Sequence, residues 1–319
     1  MELLSKLRRR KALLQKRASG KLLSALSAGL LLLSACTNDP VPPPDEEEPV
    51  LKGASYTMYA HNLRDVRKGE SLHLWAKYKG DSTWSWMTRL TIPRLFGDDS
   101  SRLAGRYKFS REIGDLEKLM ISLEVVDSPT VPDQKLIAGA MIDNTALLRP
   151  EDQDGVGDYS TLAGSVIFTS NSGDPLRYLQ EFYFARRENG VLVPSLSQLP
   201  ELPLDWKYAI WVSDSSFFPE HKFFYGYLES PALPDSRSSK DTYPLPGGFE
   251  GPLLERETAQ IRVTLEPPTM QATLAQAGPS PYSVLFTQLP KKLEPEMTLE
   301  MINLDQIALP VVKFTLKPD

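Results

Sequence analysis

The chain has 319 residues and a formal charge of −5, with one cysteine, three histidines and 27 prolines. A single thiol excludes an internal disulfide and a cysteine zinc site, and the acidic balance disfavours phosphate backbones, so no nucleic-acid partner is expected. Prolines spread along the whole chain oppose long helices and favour short strands joined by turns, which predicts an all-β protein.

Residues 1–35 open with a leader holding eight Lys and Arg, followed by the apolar run Leu22 to Ala35. The run is shorter than the ~20 residues that span a bilayer, so it reads as the hydrophobic part of a secretory signal. It ends in Leu33-Ser34-Ala35-Cys36, small residues placed before the only cysteine. This stretch resembles the lipobox of bacterial lipoproteins. The resemblance implies cleavage before Cys36 and a covalent lipid on its sulfur; the rival reading is an uncleaved signal anchor with an incidental cysteine. Cleavage leaves 28 basic against 40 acidic residues, a net charge of −12. The membrane is then reached through the lipid anchor rather than a basic patch.

Residues 36–50 include TNDPVPPPDEEEP, whose prolines favour extended polyproline II and whose acidic block resists collapse. This is a tether. The residue after the cysteine is Thr37, not the Asp of inner-membrane retention in enterobacterial lipoproteins, so an outer-membrane location is expected, facing the periplasm or the cell surface. Asp45 to Glu48 resembles the surface-export signals of Bacteroidota lipoproteins; a solvated spacer is the plainer reading.

Residues 51–148 are expected to form a first β-sandwich domain. Ser55 to Tyr59, Leu72 to Ala76, Trp84 to Met87, Gly105 to Phe109, Lys118 to Val126 and Lys135 to Met141 have strand character, with turns at Lys68-Gly69-Glu70 and Lys79-Gly80-Asp81 between the first three. Residues 149–160 read as a linker. Residues 161–319 are expected to form a second sandwich, with strands at Ser165 to Thr169, Gln180 to Ala185, Lys207 to Val212, Phe223 to Glu229, Ala259 to Glu266, Ser283 to Gln288, Thr298 to Asn303 and Pro310 to Leu316. Ser230 to Pro252 reads as a long loop.

The halves resemble each other. Ser71 to Trp75 aligns with Lys207 to Trp211, and Met120 to Val125 with Ile261 to Glu266, which predicts a tandem repeat of one sandwich. The order Leu-x-Leu-Trp, a strand ending in Leu-Glu, a proline-containing loop and Ile137-Ala138-Gly139 resembles the exported C-terminal domain of anti-sigma-K factors. That resemblance spans Ser71 to Gly139, and more faintly Lys207 to Phe286. It implies an immunoglobulin-like sandwich, but no sigma-factor control, because only a basic leader precedes the lipobox.

Two constellations are candidate sites. Asp152, Asp154 and Asp158, spaced by Gly155 and Gly157, resemble the core of thrombospondin type 3 calcium repeats, since alternate carboxylates can converge on a hard cation. An acidic linker is the competing reading. Trp84 and Trp86 are predicted to share a strand face, where they either stack on a sugar or partner surface, or belong to the core. His73, between Leu72 and Leu74, is expected to face solvent. No metal-ligand histidine spacing, Gly-x-Ser-x-Gly elbow or phosphate loop is present. The expected function is therefore a non-catalytic binding or structural module, with an envelope or surface protein or a glycan as partner. A carbohydrate-binding part of a glycan-uptake system and a hydrolase with an unrecognised carboxylate site are the alternatives.

Overall fold

The computed structural model describes residues 53–64, 66–67, 69–91, 100–109, 111–125, 129–169, 181–203, 205–214, 221–228, 247–250, 259–267 and 278–318. Cys36, the leader and the tether lie outside them, as does most of the expected loop Ser230 to Pro252. Among the described residues all strand pairs are antiparallel.

The first half contributes β1 (Gly53–His61), β2 (Ser71–Tyr78), β3 (Ser85–Leu90), β4 (Ser100–Lys108), β5 (Leu116–Glu124), β6 (Lys135–Ile142) and β7 (Thr145–Leu148). Alternation sets their faces: Ala54, Met58 and Ala60 of β1 are buried while Tyr59 is exposed. On β2 and β5, Leu72, Leu74 and Ala76 meet Leu119, Ile121 and Leu123 in the main core. Each of these leucine and isoleucine side chains contributes about 1.5–3 kcal/mol by leaving water.

The second half supplies β8 (Ser165–Phe168), β9 (Glu181–Tyr183), β10 (Ala185–Glu188), β11 (Val191–Pro194), β12 (Lys207–Asp214), β13 (His221–Leu228), β14 (Gly247–Glu250), β15 (Ala259–Glu266), β16 (Ser283–Gln288), β17 (Thr298–Glu300) and β18 (Ile302–Asn303). A five-stranded sheet, β13-β12-β15-β16-β18, faces a four-stranded one, β14-β9-β8-β17. Phe182 of the smaller sheet meets Tyr225 of the larger at 5.6 Å between ring centroids. This is a sandwich, and β14 lies within the range expected to be loop. The hairpin β10-β11 turns at Asn189-Gly190, both at positive φ, as a two-residue type I′ turn requires.

The expected domain boundaries do not hold at the end of the chain. After helix α1 (Asp305–Ala308), the last strand β19 (Val311–Pro318) pairs with β1 and β7 of the first half. The first sheet therefore runs β3-β2-β5-β6-β7-β19-β1-β4. It curls, because Tyr107 Oη of β4 donates to the Trp86 carbonyl of β3 at the opposite end, 3.3 Å away. Val312, Phe314 and Leu316 complete the first core, which an isolated segment 51–148 would leave open.

The tandem repeat is present, with a corrected register. Strands β3-β2-β5-β6 correspond to β13-β12-β15-β16, and two bulges recur at equivalent places in both sets. One bulge lies between Leu74 and Trp75, matched between Ile210 and Trp211; the other lies between Ile121 and Ser122, matched between Val263 and Thr264. Met120 is thus equivalent to Arg262 and Glu124 to Glu266, one residue away from the alignment read from sequence. In a strand, one residue exchanges the faces.

Candidate functional site

The outer face of each large sheet carries the polar side chains that the cores exclude. In the first repeat Trp75 packs with Met120 and Ala138, and its indole Nε1 donates to Ser122 Oγ at 2.7 Å. Ser122 in turn donates to Glu124 Oε1 at 2.5 Å, and the Asp133 amide donates to the same oxygen. In the second repeat Trp211 Nε1 donates directly to Glu266 Oε1 at 3.0 Å, joined by Thr264 Oγ1 and the Ser280 amide. The free oxygen of Glu266 pairs with Arg67 Nη1 at 2.7 Å, and Arg67 also pairs with Glu70. Arg67 comes from the β1–β2 connection, so this buried triad ties the two halves together.

Burial pushes both glutamates above the ordinary carboxylate range. At Glu124 the hydrogen bonds from Ser122 and the Asp133 amide oppose the shift; at Glu266 the Arg67 charge is the main opposing influence. Buried acids with raised pKa are where a catalytic site would be sought. Here their oxygens accept hydrogen bonds from side chains of the sheet and from backbone amides of the adjoining connections instead.

His73 is fully buried, not solvent-facing, because Trp86 lies across the outer face of β2. Trp86 Nε1 donates to His73 Nδ1 at 2.9 Å, and His73 Nε2 lies 2.8 Å from Ser71 Oγ. Since Nδ1 accepts, the proton of a neutral ring sits on Nε2 and points at Ser71. The pair looks like a nucleophile and its base, but the imidazole cannot take the hydroxyl proton in this tautomer.

The two sequence-predicted tryptophans separate in environment. Trp84 is half-buried against Trp75, Met120 and Ala138, with Lys77 Nζ 5.9 Å from its ring centroid. Trp86 is 45% exposed. They do not form a common exposed platform.

The three aspartates also separate. Lys118, on β5, places its ammonium 2.5 Å from Asp152 Oδ1 and 2.7 Å from Asp154 Oδ2, while Lys135 reaches the other Asp154 oxygen at 3.1 Å. A lysine thus holds the place between Asp152 and Asp154 that the calcium reading gave to a metal ion. Asp158 accepts from the Ser160 amide and lines a different depression of about 400 Å3 with Glu151 and Asp305. The glycines have a packing role: a Cβ on Gly155 would lie 2.2 Å from the Pro150 carbonyl oxygen, and Gly157 has φ of +131°. No cluster of three or more metal-ligating side chains occurs among the described residues.

Sequence reasoning missed Glu124, Glu266, Arg67 and Lys118. The signal for the glutamates was available as two apolar strands each ending in Leu-Glu. Lys118 was visible as a lone cation in an apolar strand, but nothing local names its partners 34 and 36 residues away. No known protein family matches the chain, and neither does any curated protein or solved structure.

Proposed function

We propose that the protein is a non-catalytic binding or structural module of the cell envelope, held on the outer membrane by lipid on Cys36 and spaced from it by residues 36–50. The observation that carries the non-catalytic part is the His73 tautomer: the Ser71–His73 pair, at hydrogen-bond distance among the described residues, is arranged in the wrong sense for general-base chemistry. The buried acids Glu124 and Glu266 are likewise held by hydrogen bonds within the fold. Recognition then falls to strand faces and loops displayed on a rigid sandwich, and an envelope or surface protein is the partner class that suits such a display.

A glycan partner is the second reading, favoured by exposed Trp86, whose ring edge is fixed by His73. It is weakened by Trp84, which is half-buried against Trp75, Met120 and Ala138 rather than exposed beside Trp86.

Metabolic labelling of producing cells with an alkyne-bearing fatty acid tests the anchor. The full-length chain should take up label and fractionate with membranes, and Cys36→Ala should do neither. Label retained by Cys36→Ala, or absent from both, would overturn the lipoprotein reading.

A further inference from the structure

A cavity of about 320 Å3 lies on the outer face of the second repeat, where β12, β13 and β15 meet the β1–β2 connection. Its walls carry Arg64, Arg67, Lys222 and Arg262, and no carboxylate is among the described lining residues. Glu70 and Glu266 hold Arg67 from behind without lining the space. The strand register explains the convergence: Trp211 lies opposite Arg262, and Ser213 opposite Lys222, all on one face.

Two polar atoms there are buried without a partner. Ser213 is 6% exposed and its Oγ makes no hydrogen bond. Arg262 Nε is buried and likewise unpaired, although Nη2 of the same guanidinium donates to Gln260 and the group lies over the Phe286 ring. Buried donors without acceptors are costly and uncommon in folded proteins. An acceptor arriving in the cavity would satisfy both.

The first repeat supplies an internal comparison. There the position of Arg262 is taken by Met120, that of Lys222 by Trp84 and that of Ser213 by Lys77, and Met120 and Trp84 are packed against Trp75. One scaffold thus carries an apolar patch in one copy and a cationic recess in the other.

We infer that the cavity bounded by Arg64, Arg67, Ser213, Lys222 and Arg262 binds a tetrahedral oxyanion, the phosphate or sulfate group of a small ligand. The walls come from several directions, which suits the three or four acceptor oxygens of such a group better than the two of a carboxylate. The volume is at the small end for ligand sites, enough for a head group and little more. The inference does not depend on lipidation of Cys36 or on the class of partner.

Isothermal titration of the full-length chain in detergent micelles with sodium phosphate, sodium sulfate, sodium acetate and sodium chloride at matched ionic strength tests it. Phosphate or sulfate should give saturable binding, acetate weaker binding, and chloride none. A preference between the first two distinguishes a phosphorylated from a sulfated ligand. Arg262→Gln should weaken binding about tenfold or more, as loss of a charge-assisted contact does, and Ser213→Ala should weaken it measurably. Lys292→Gln, at an exposed lysine elsewhere, should not. Because Ser213→Ala removes a hydroxyl with no partner, its melting temperature without anion should equal or exceed that of the parent, which keeps the test independent of folding. No saturable binding beyond chloride, or binding unchanged in both Arg262→Gln and Ser213→Ala, would overturn the assignment.

Discussion

Trp75 and Trp211 occupy the same position in the two repeats, each directly after a β-bulge and each aiming its indole N–H at a buried polar chain that ends on a glutamate. The bulge rotates the strand enough to lay the indole along the sheet, towards the strand that ends in Leu-Glu. The two chains differ by one link. Trp75 reaches Glu124 through Ser122, whereas Trp211 touches Glu266 directly.

That difference predicts unequal costs for the same substitution. Trp75→Phe removes a neutral donor from a serine that still bonds Glu124, and should lose about 1 kcal/mol for the hydrogen bond. Trp211→Phe removes a donor from a buried carboxylate and should lose about 2–3 kcal/mol. Both variants shed similar packing, so urea unfolding of the pair isolates the polar contribution. Equal losses would mean that the direct indole–carboxylate bond has no special weight.

The glutamates themselves should show opposite responses to neutralisation. Burial raises both folded-state pKa values, so the stability contributed by the protonated form is complete below the ordinary carboxylate pKa and is lost as pH rises through the raised one. Glu124 has no cationic partner among the described residues. Glu124→Gln keeps an acceptor for Ser122 and the Asp133 amide, so at neutral pH it should match or exceed the parent in stability and flatten that part of the pH profile. Glu266→Gln instead takes a partner from buried Arg67 and should cost about 3 kcal/mol, the lower end for breaking a buried pair because Glu70 remains. Urea unfolding across the acid to neutral range reads both effects, and the same sign for both variants at neutral pH would contradict the roles assigned to Arg67 and its absence.

These contrasts mark where the sequence was legible. Alternation on β2, β5, β12 and β15 placed the strands and revealed the duplication, because a half-buried sheet imposes a period of two. The same period hid the true alignment: without the bulges before Ser122 and Thr264, a one-residue error looks equally apolar and conceals the match of Glu124 with Glu266. His73 was expected outside because its neighbours face the core, yet a second layer of Trp86 covers that outer face. The Asn189-Gly190 pair is a hairpin turn signal, yet no hairpin was expected there. The return of β19 to β1 was not readable, since no local pattern records which sheet edge a terminal strand will join. The aspartates of the linker carried a calcium-like spacing, but their cations come from β5 and β6.

Lys118 therefore governs the behaviour expected of the 149–160 segment. Burial works against ionised Asp154, but hydrogen bonds and charge from Lys118 and Lys135 outweigh it and lower its pKa. The resulting stability is present above the ordinary aspartate pKa and is lost as pH falls through the lowered one, opposite in sense to Glu124. Lys118→Met should destabilise the protein at neutral pH and make the acid limb of its pH profile shallower. Calcium should leave the parent melting temperature unchanged, because an ammonium already lies between Asp152 and Asp154. A saturable rise with calcium that is abolished by Asp154→Ala would reverse this conclusion.

The five tryptophans provide the last test, since their environments differ so widely. Trp75, Trp206 and Trp211 are buried, Trp84 is half-buried and Trp86 alone is substantially exposed, at 45%. Acrylamide should reach mainly Trp86, so Trp86→Phe should remove most of the quenchable fluorescence while Trp84→Phe removes little. The first substitution also deprives His73 Nδ1 of its donor. Freed of that constraint, the imidazole can carry its proton on Nδ1 and accept at Nε2 from Ser71. The ring-nitrogen chemical shifts of His73 should therefore report the Nε2–H tautomer in the parent and a mixture in Trp86→Phe. A parent spectrum showing the Nδ1–H form would remove the argument that the Ser71–His73 pair is set against catalysis.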